Sequence, residues 1–277
     1  MSALAAPLSR TSPHSLRAAW RVFWNGGRMS YGMLFNWARP SIYIPTLIGG
    51  PTFQLLFFAA LGSYATNRSP AYFAIGNAVQ VSALAGVFGM TMAIANERWF
   101  GTLPAVLATP ANRLALFAGR FMPFVLNGLF VSLYAFALGV IFLGVRIAPG
   151  SLAVVGLGLL VTVFSCTAIG ALQGAISLRL RDGLFGANLV MMSILLFCGV
   201  NIPLRELPTW MQVVGNLLPF THGLEAVRQA ADGAGLGQVG GLIAIEFGVG
   251  CAYAAAAFAL FRFLEVSSRR NATLDVR

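Results

Sequence analysis

Six apolar runs, at about residues 41–63, 71–95, 114–145, 151–178, 184–202 and 240–263, leave this chain little choice of fold. Each is close to or beyond the roughly 20 residues that carry a helix across about 30 Å of hydrocarbon. Inside lipid the backbone has no water to bond, so such runs close their hydrogen bonds within themselves as helices. The charge content agrees: 9% of residues are charged, against about 25% in soluble domains. The expected fold is an all-α membrane protein with six transmembrane helices. Residues 1–38 form a cytoplasmic tail and an amphipathic interfacial helix, and residues 39–277 form the six-span domain.

All eighteen basic residues are arginines, and the formal net charge is +10. They stand singly at the ends of apolar runs and form no stripe, so they predict topology and no nucleic-acid partner. With the N-terminus inside, fourteen arginines fall on the inner side, and Arg68, Arg146, Arg205 and Arg228 fall outside. The positive-inside rule therefore puts both termini in the cytoplasm and the chain in the cytoplasmic (inner) membrane. The lack of lysine excludes a P-loop, which needs one at the nucleotide phosphates. Cys166, Cys198 and Cys251 lie in apolar runs as inert thiols, and His14 and His222 are far apart, so no metal or catalytic cluster is expected. The first 38 residues, interrupted by Arg10, Arg17, Arg21 and Arg28, predict no cleaved signal peptide.

Between Ser15 and Trp37, Arg17, Arg21 and Arg28 alternate with Trp20, Phe23 and Trp24, the pattern of a helix lying in the membrane interface. Gly26-Gly27 is expected to break or bend it. Pro45, Gly49, Gly50 and Pro51 predict a first span that is kinked or partly unwound near its start. The first two turns of the third span, with Arg120, should protrude into the interface. Gly170-x-x-x-Gly174 in the fourth span offers a small-residue face for close helix packing. Residues 203–237 are too interrupted to span; Pro208–Leu217 and Thr221–Ala231 read as two short helices, re-entrant or lying on the surface. This outer hairpin, with Pro219, Thr221, Glu225 and Arg228, is either a gate or a lid that fills the top of the bundle. Glu225 and Arg228 stand three apart and would pair. Glu246 is the carboxylate placed well inside a span, which makes it a candidate polar site, or simply a group that reaches the interface or faces the hairpin.

The most distinctive polar island is Asn96–Arg113, NERWFGTLPAVLATPANR, between spans 2 and 3. Glu97, Arg98, Asn112 and Arg113 exclude it from lipid, since each charge at a bilayer centre costs about 2.5–3.5 kcal/mol. Thr102 can cap a short helix with Pro104 in its first turn, and Thr109-Pro110 ends it. Leu103 and Leu107 share one face and either meet a partner or pack back on the spans. Glu97 and Arg98 either order the junction or are simply solvated. Gly101 permits close approach.

Glu97-Arg98-x-x-Gly101-Thr102-Leu103, with Leu107 and Thr109-Pro110 following, resembles the cytoplasmic loop of ABC exporter permeases of the type-2 membrane family. Asn216-x-x-Pro219-x-Thr221, followed by Glu225-x-x-Arg228, resembles that family's outer pattern before the last span. The likeness extends over nearly the whole chain. Pro104 departs from it, standing where the family often has an acidic residue, which removes a charge partner. The resemblance implies a permease subunit, not an enzyme, whose 96–113 segment is a coupling helix. That helix would seat in a separate ABC ATPase subunit, present in two copies with the ATP and Mg. A second permease, identical or related, would complete the pathway within membrane lipid. The apolar, aromatic spans suggest an amphipathic cargo: a drug, natural product, lipid or lipid-linked glycan. An ion-coupled secondary transporter would need Glu246 or the broken first span as its ion site. An intramembrane enzyme would need a catalytic cluster in the bilayer, and no His or Asp lies in any span.

Overall fold

The computed structural model describes residues 16–36, 40–66, 68–99, 112–180 and 182–271. Its order is α1 (Leu16–Asn36), α2 (Pro40–Ala65), α3 (Pro70–Trp99), α4 (Arg113–Leu143), α5 (Leu152–Leu180), α6 (Gly183–Phe197), α7 (Thr209–Leu217), α8 (Thr221–Ala231) and α9 (Leu236–Asn271). Single 3-10 turns at Pro149–Ser151 and Leu204–Glu206 precede α5 and α7. No strand occurs among the described residues.

Among the described residues, four segments are long and apolar enough to cross a membrane: Pro70–Asn96, Leu114–Leu143, Pro149–Arg179 and Leu236–Leu264. Helix α2 has 26 residues, whereas α6 has only 15. The sequence predicts a fifth run reaching residue 202. The helix instead stops at Phe197, because Gly199 takes a left-handed φ of 79° and turns the chain.

Local chemistry sets the helix ends. Asn112 caps α4, its side-chain oxygen accepting the Leu114 and Ala115 N–H groups at 3.0 and 3.2 Å, and Gly144 at φ 67° closes it. Asp182 caps α6 by accepting the Phe185 N–H at 2.9 Å. Helix α2 runs unbroken through Pro45 and Pro51, without the unwinding that its composition suggests.

The bundle is centred on α3, which packs against α5, α4, α2 and α6. Lipid gives helices no hydrophobic reason to associate, so close contact between small residues and interhelical hydrogen bonds must supply it. A Cβ on Gly170 would lie 2.8 Å from the Gly86 and Val87 carbonyl oxygens, and one on Gly174 would lie 2.9 Å from Ile94. The Gly170–Gly174 face is therefore where α5 crosses α3. The Thr91 hydroxyl reinforces the crossing, donating to the Gly170 carbonyl at 3.0 Å, and Ser132 of α4 donates to the Ala78 carbonyl of α3 at 2.9 Å.

Helix α1 corrects an expectation: it is continuous through Gly26-Gly27. These glycines serve a crossing. A Cβ on Gly27 would lie 3.0 Å from the Gly119 carbonyl oxygen, and one on Gly119 would lie 2.3 Å from that of Phe23. Bare backbone lets α1 lie directly on α4, and the contact offsets the low helix propensity of the pair. Trp20 and Trp24 remain exposed on the other side. Arg120, near the start of α4, is covered by the bundle.

Candidate functional site

A cluster of buried polar groups sits at the end where α7 and α8 lie. Glu246 of α9 is fully buried. Its Oε1 accepts the Phe220 N–H at 2.7 Å, its Oε2 accepts the Gly223 N–H at 3.1 Å, and the Ser165 hydroxyl of α5 donates to Oε1 as well. The carboxylate thus caps α8, where free N–H groups and the positive end of the helix dipole favour an anion. Hydrogen bonds to a charged group contribute about 1.5–3 kcal/mol each. They hold Phe220, whose φ of 115° is positive for a non-glycine residue, a conformation costing on the order of 1–3 kcal/mol. Gly223 is confined to glycine by contact, since a Cβ there would lie 2.0 Å from the Thr162 hydroxyl. Among the readings of Glu246, the geometry is that of a group facing the hairpin.

Arg228 secures the other end of α8. Its guanidinium donates to the Gly199 and Val200 carbonyls at 2.8 and 2.7 Å and lies 3.9 Å from the centroid of the Tyr72 ring. Gly76 makes room, because a Cβ there would lie 2.4 Å from the Val200 carbonyl oxygen. The expected Glu225–Arg228 pair is not what forms. The carbonyls after α6 engage Arg228, and Glu225 accepts from Gln229 at 2.9 Å. An ion pair between Arg68 and Glu206 joins the turn before α3 to the turn before α7. Thr221 donates to the Gly215 carbonyl at 2.5 Å, tying α8 back to α7. A cavity of about 560 Å³ opens here, with Tyr72, Cys198, Asn216, His222 and Arg228 among its walls.

A second polar feature escaped sequence reasoning. Asn77, fully buried in α3, donates to Asn201 at 3.0 Å and to its own helix at the Phe73 carbonyl, while Gln54 of α2 donates to Gln80. The signal was present as amide residues inside apolar runs, but nothing in their spacing pairs residue 54 with 80 or 77 with 201. Gln54 and Gln80 also line an open furrow of about 660 Å³ between α2, α3 and α6, walled by Phe53, Phe57, Phe88 and Met192. Phe53 and Phe57 are 76% and 60% exposed, so this face of the bundle is uncovered.

Of the other residues singled out, Glu97 and Arg98 belong to the last turn of α3. Gly101, Thr102, Leu103, Leu107, Thr109 and Pro110 lie outside the described residues. Pro219 stands between α7 and α8. No group of three metal-ligating side chains occurs among the described residues.

A helical membrane bundle with buried amides, an uncovered furrow and a capped helical pair at one end defines the class as a polytopic membrane protein. The model of the ABC-2 type transporter family matches residues 22–231, and the chain belongs to that family of transport permeases. It is similar to the probable multidrug ABC transporter permease YbhR of Escherichia coli strain K12, at 24% identity over 167 residues, 60% of this chain and 45% of that one. It is also similar to the putative transport permease ycf38 of Cyanophora paradoxa, at 29% identity over 197 residues, 66% of this chain and 67% of that one. The chain thus spans less than half of the length of YbhR.

Proposed function

We propose that this chain is the permease subunit of an ATP-driven exporter in the cytoplasmic membrane, working with a separate ABC ATPase. Family membership supports the permease reading, and the carrying observation for what it does is the open furrow between α2, α3 and α6. Its aromatic and methionine walls suit an apolar body, and the amides of Gln54 and Gln80 suit a polar head. An amphipathic cargo matches both, and the multidrug description of YbhR favours a drug-like one. Counting α2 and α6 with the four long apolar helices gives six spans, with α1 in the interface and the α7–α8 pair on the outer side. In this arrangement the segment between α3 and α4 faces the cytoplasm, where Leu103 and Leu107 would meet the ATPase, two copies of which supply ATP and Mg. Rigid helices on either side would carry ATPase displacement into the bundle.

Ion coupling gains nothing from Glu246, whose oxygens are taken by donors of its own chain.

Co-purification in mild detergent with the ATPase encoded beside this protein tests the reading. The wild type is expected to retain the ATPase and its activity, and Leu103→Arg with Leu107→Arg to lower capture by about tenfold or more, as for an interface anchor. No capture by the wild type would overturn the central reading. Equal capture by the double variant would place the leucines against the protein's own spans.

The furrow face also suits a second permease, because amides turned toward lipid gain from partners across an interface. In a cysteine-free background, Phe57→Cys is expected to form cross-linked dimers in membranes, whereas Phe142→Cys, exposed on α4, is not. Equal cross-linking at both positions counts against this face.

A further inference from the structure

Helices α7 and α8 are joined through Phe220, yet they are held to the bundle very differently. Seven of the eleven residues of α8 are buried, against Gly215 alone in the nine-residue α7. Trp210, Val213 and Leu217 of α7 are 60%, 57% and 67% exposed. Helix α8 is fastened at both ends by charged groups: Glu246 holds its first turn to α5 and α9, and Arg228 holds its last turn to the Gly199–Val200 carbonyls and the Tyr72 ring. The ties of α7 are neutral and single. They include the Thr221–Gly215 hydrogen bond, a 3.3 Å bond from the Tyr253 hydroxyl to the Leu217 carbonyl, an edge contact of Trp210 with Phe197, and the close approach of Gly215 to the Phe197 carbonyl, 2.3 Å from where a Cβ would stand. Withdrawing α8 would strip the buried Glu246 carboxylate of its backbone donors and the Gly199 and Val200 carbonyls of their guanidinium, and withdrawing α7 leaves only neutral groups. Phe220 stays with α8, since its N–H is held by Glu246 and its side chain is fully buried, so the freedom between the two helices lies at Leu218-Pro219, outside both.

We propose that α7 is a flap that swings about Leu218-Pro219 while Phe220 and α8 remain fixed, with Glu246 the positioning residue that makes α8 the pivot. Residues 199–206 and α8 then form the standing walls of the 560 Å³ cavity, and Gln212 and Asn216 of α7 form its moving wall. Opening the flap exposes Cys198, which is 1% accessible with the flap closed. The use of the flap as an exit rests on the permease reading; its motion does not.

Hydrogen–deuterium exchange on the full chain in nanodiscs tests this directly. Peptides from residues 207–217 are expected to exchange about tenfold faster than those from 221–231, as independent opening units do. Tyr253→Phe is expected to speed exchange of α7 about three- to fivefold and modification of Cys198 with it, leaving α8 unchanged. Glu246→Ala is expected to speed α8. Where that variant does not give monodisperse protein, Ser165→Ala carries the test by removing one of the three donors. Equal exchange of α7 and α8 in the wild type overturns the proposal, as does Tyr253→Phe loosening both helices together, or Glu246 and Ser165 variants leaving α8 protected. None of these measurements involves the ATPase, so their failure and a failed co-purification are separate results.

Discussion

Arg228→Met is expected to lower the apparent melting temperature of the solubilised protein by roughly 5–15 °C, corresponding to about 3–5 kcal/mol in a chain of this size. The methionine preserves the apolar stem and removes the fork. The Gly199 and Val200 carbonyls, at 2.8 and 2.7 Å from the guanidinium, then lose their donors inside the bundle, and the Tyr72 ring loses its cation. An unpaired buried acceptor costs about 1–3 kcal/mol. Arg228→Lys should recover less than half of the loss, because one ammonium cannot reproduce the planar fork and its stacking on the ring. A thiol-reactive dye at a single heating rate gives the measurement, since Cys198 lies beside the same turn. A shift under about 2 °C for the methionine variant would mean that the turn after α6 is held by something else.

Gly170→Leu is expected to abolish accumulation of folded protein. The clash is with backbone, since a Cβ at 170 lies 2.8 Å from two carbonyl oxygens of α3, and no rotamer removes it. The central helices would have to part, taking the Thr91 bond and the Gly174–Ile94 contact with them. Gly170→Ala should cost about 1–3 kcal/mol by overpacking. Gly156→Ala, in the same helix but facing open space, should stabilise by about 0.5–1 kcal/mol through helix propensity. Membrane yield and size-exclusion profile separate the three. Normal yield of the leucine variant would show that α3 and α5 can move apart.

The long helices were legible because the bilayer sets their length and the apolar runs match it. The short pair α7 and α8 was legible from Pro208, Pro219 and Asp232, which punctuate a stretch too polar to span. Gly26-Gly27 misled because a glycine pair signals a break in isolation and a crossing when another backbone lies upon it; the Gly119 that decides between them is some ninety residues away. Glu246 stood out as a carboxylate inside a span, but its main partners are the backbone N–H groups of Phe220 and Gly223, which no residue type announces. Arg228 was assigned the near acidic residue, Glu225. It chose carbonyls that the turn at Gly199 brings within reach.

The brevity of α6 has an electrostatic consequence. Fifteen residues rise about 22 Å, short of the roughly 30 Å of hydrocarbon. Beyond Phe197 the chain bends into the wall of the cavity where Arg228, His222 and Asn216 gather. If this end faces the outer solution, water entering the cavity would stand several ångströms below the level that a full-length helix would set. In the proposed exporter, a cargo with a polar head leaving at this end would be rehydrated before it had crossed the whole thickness of oil.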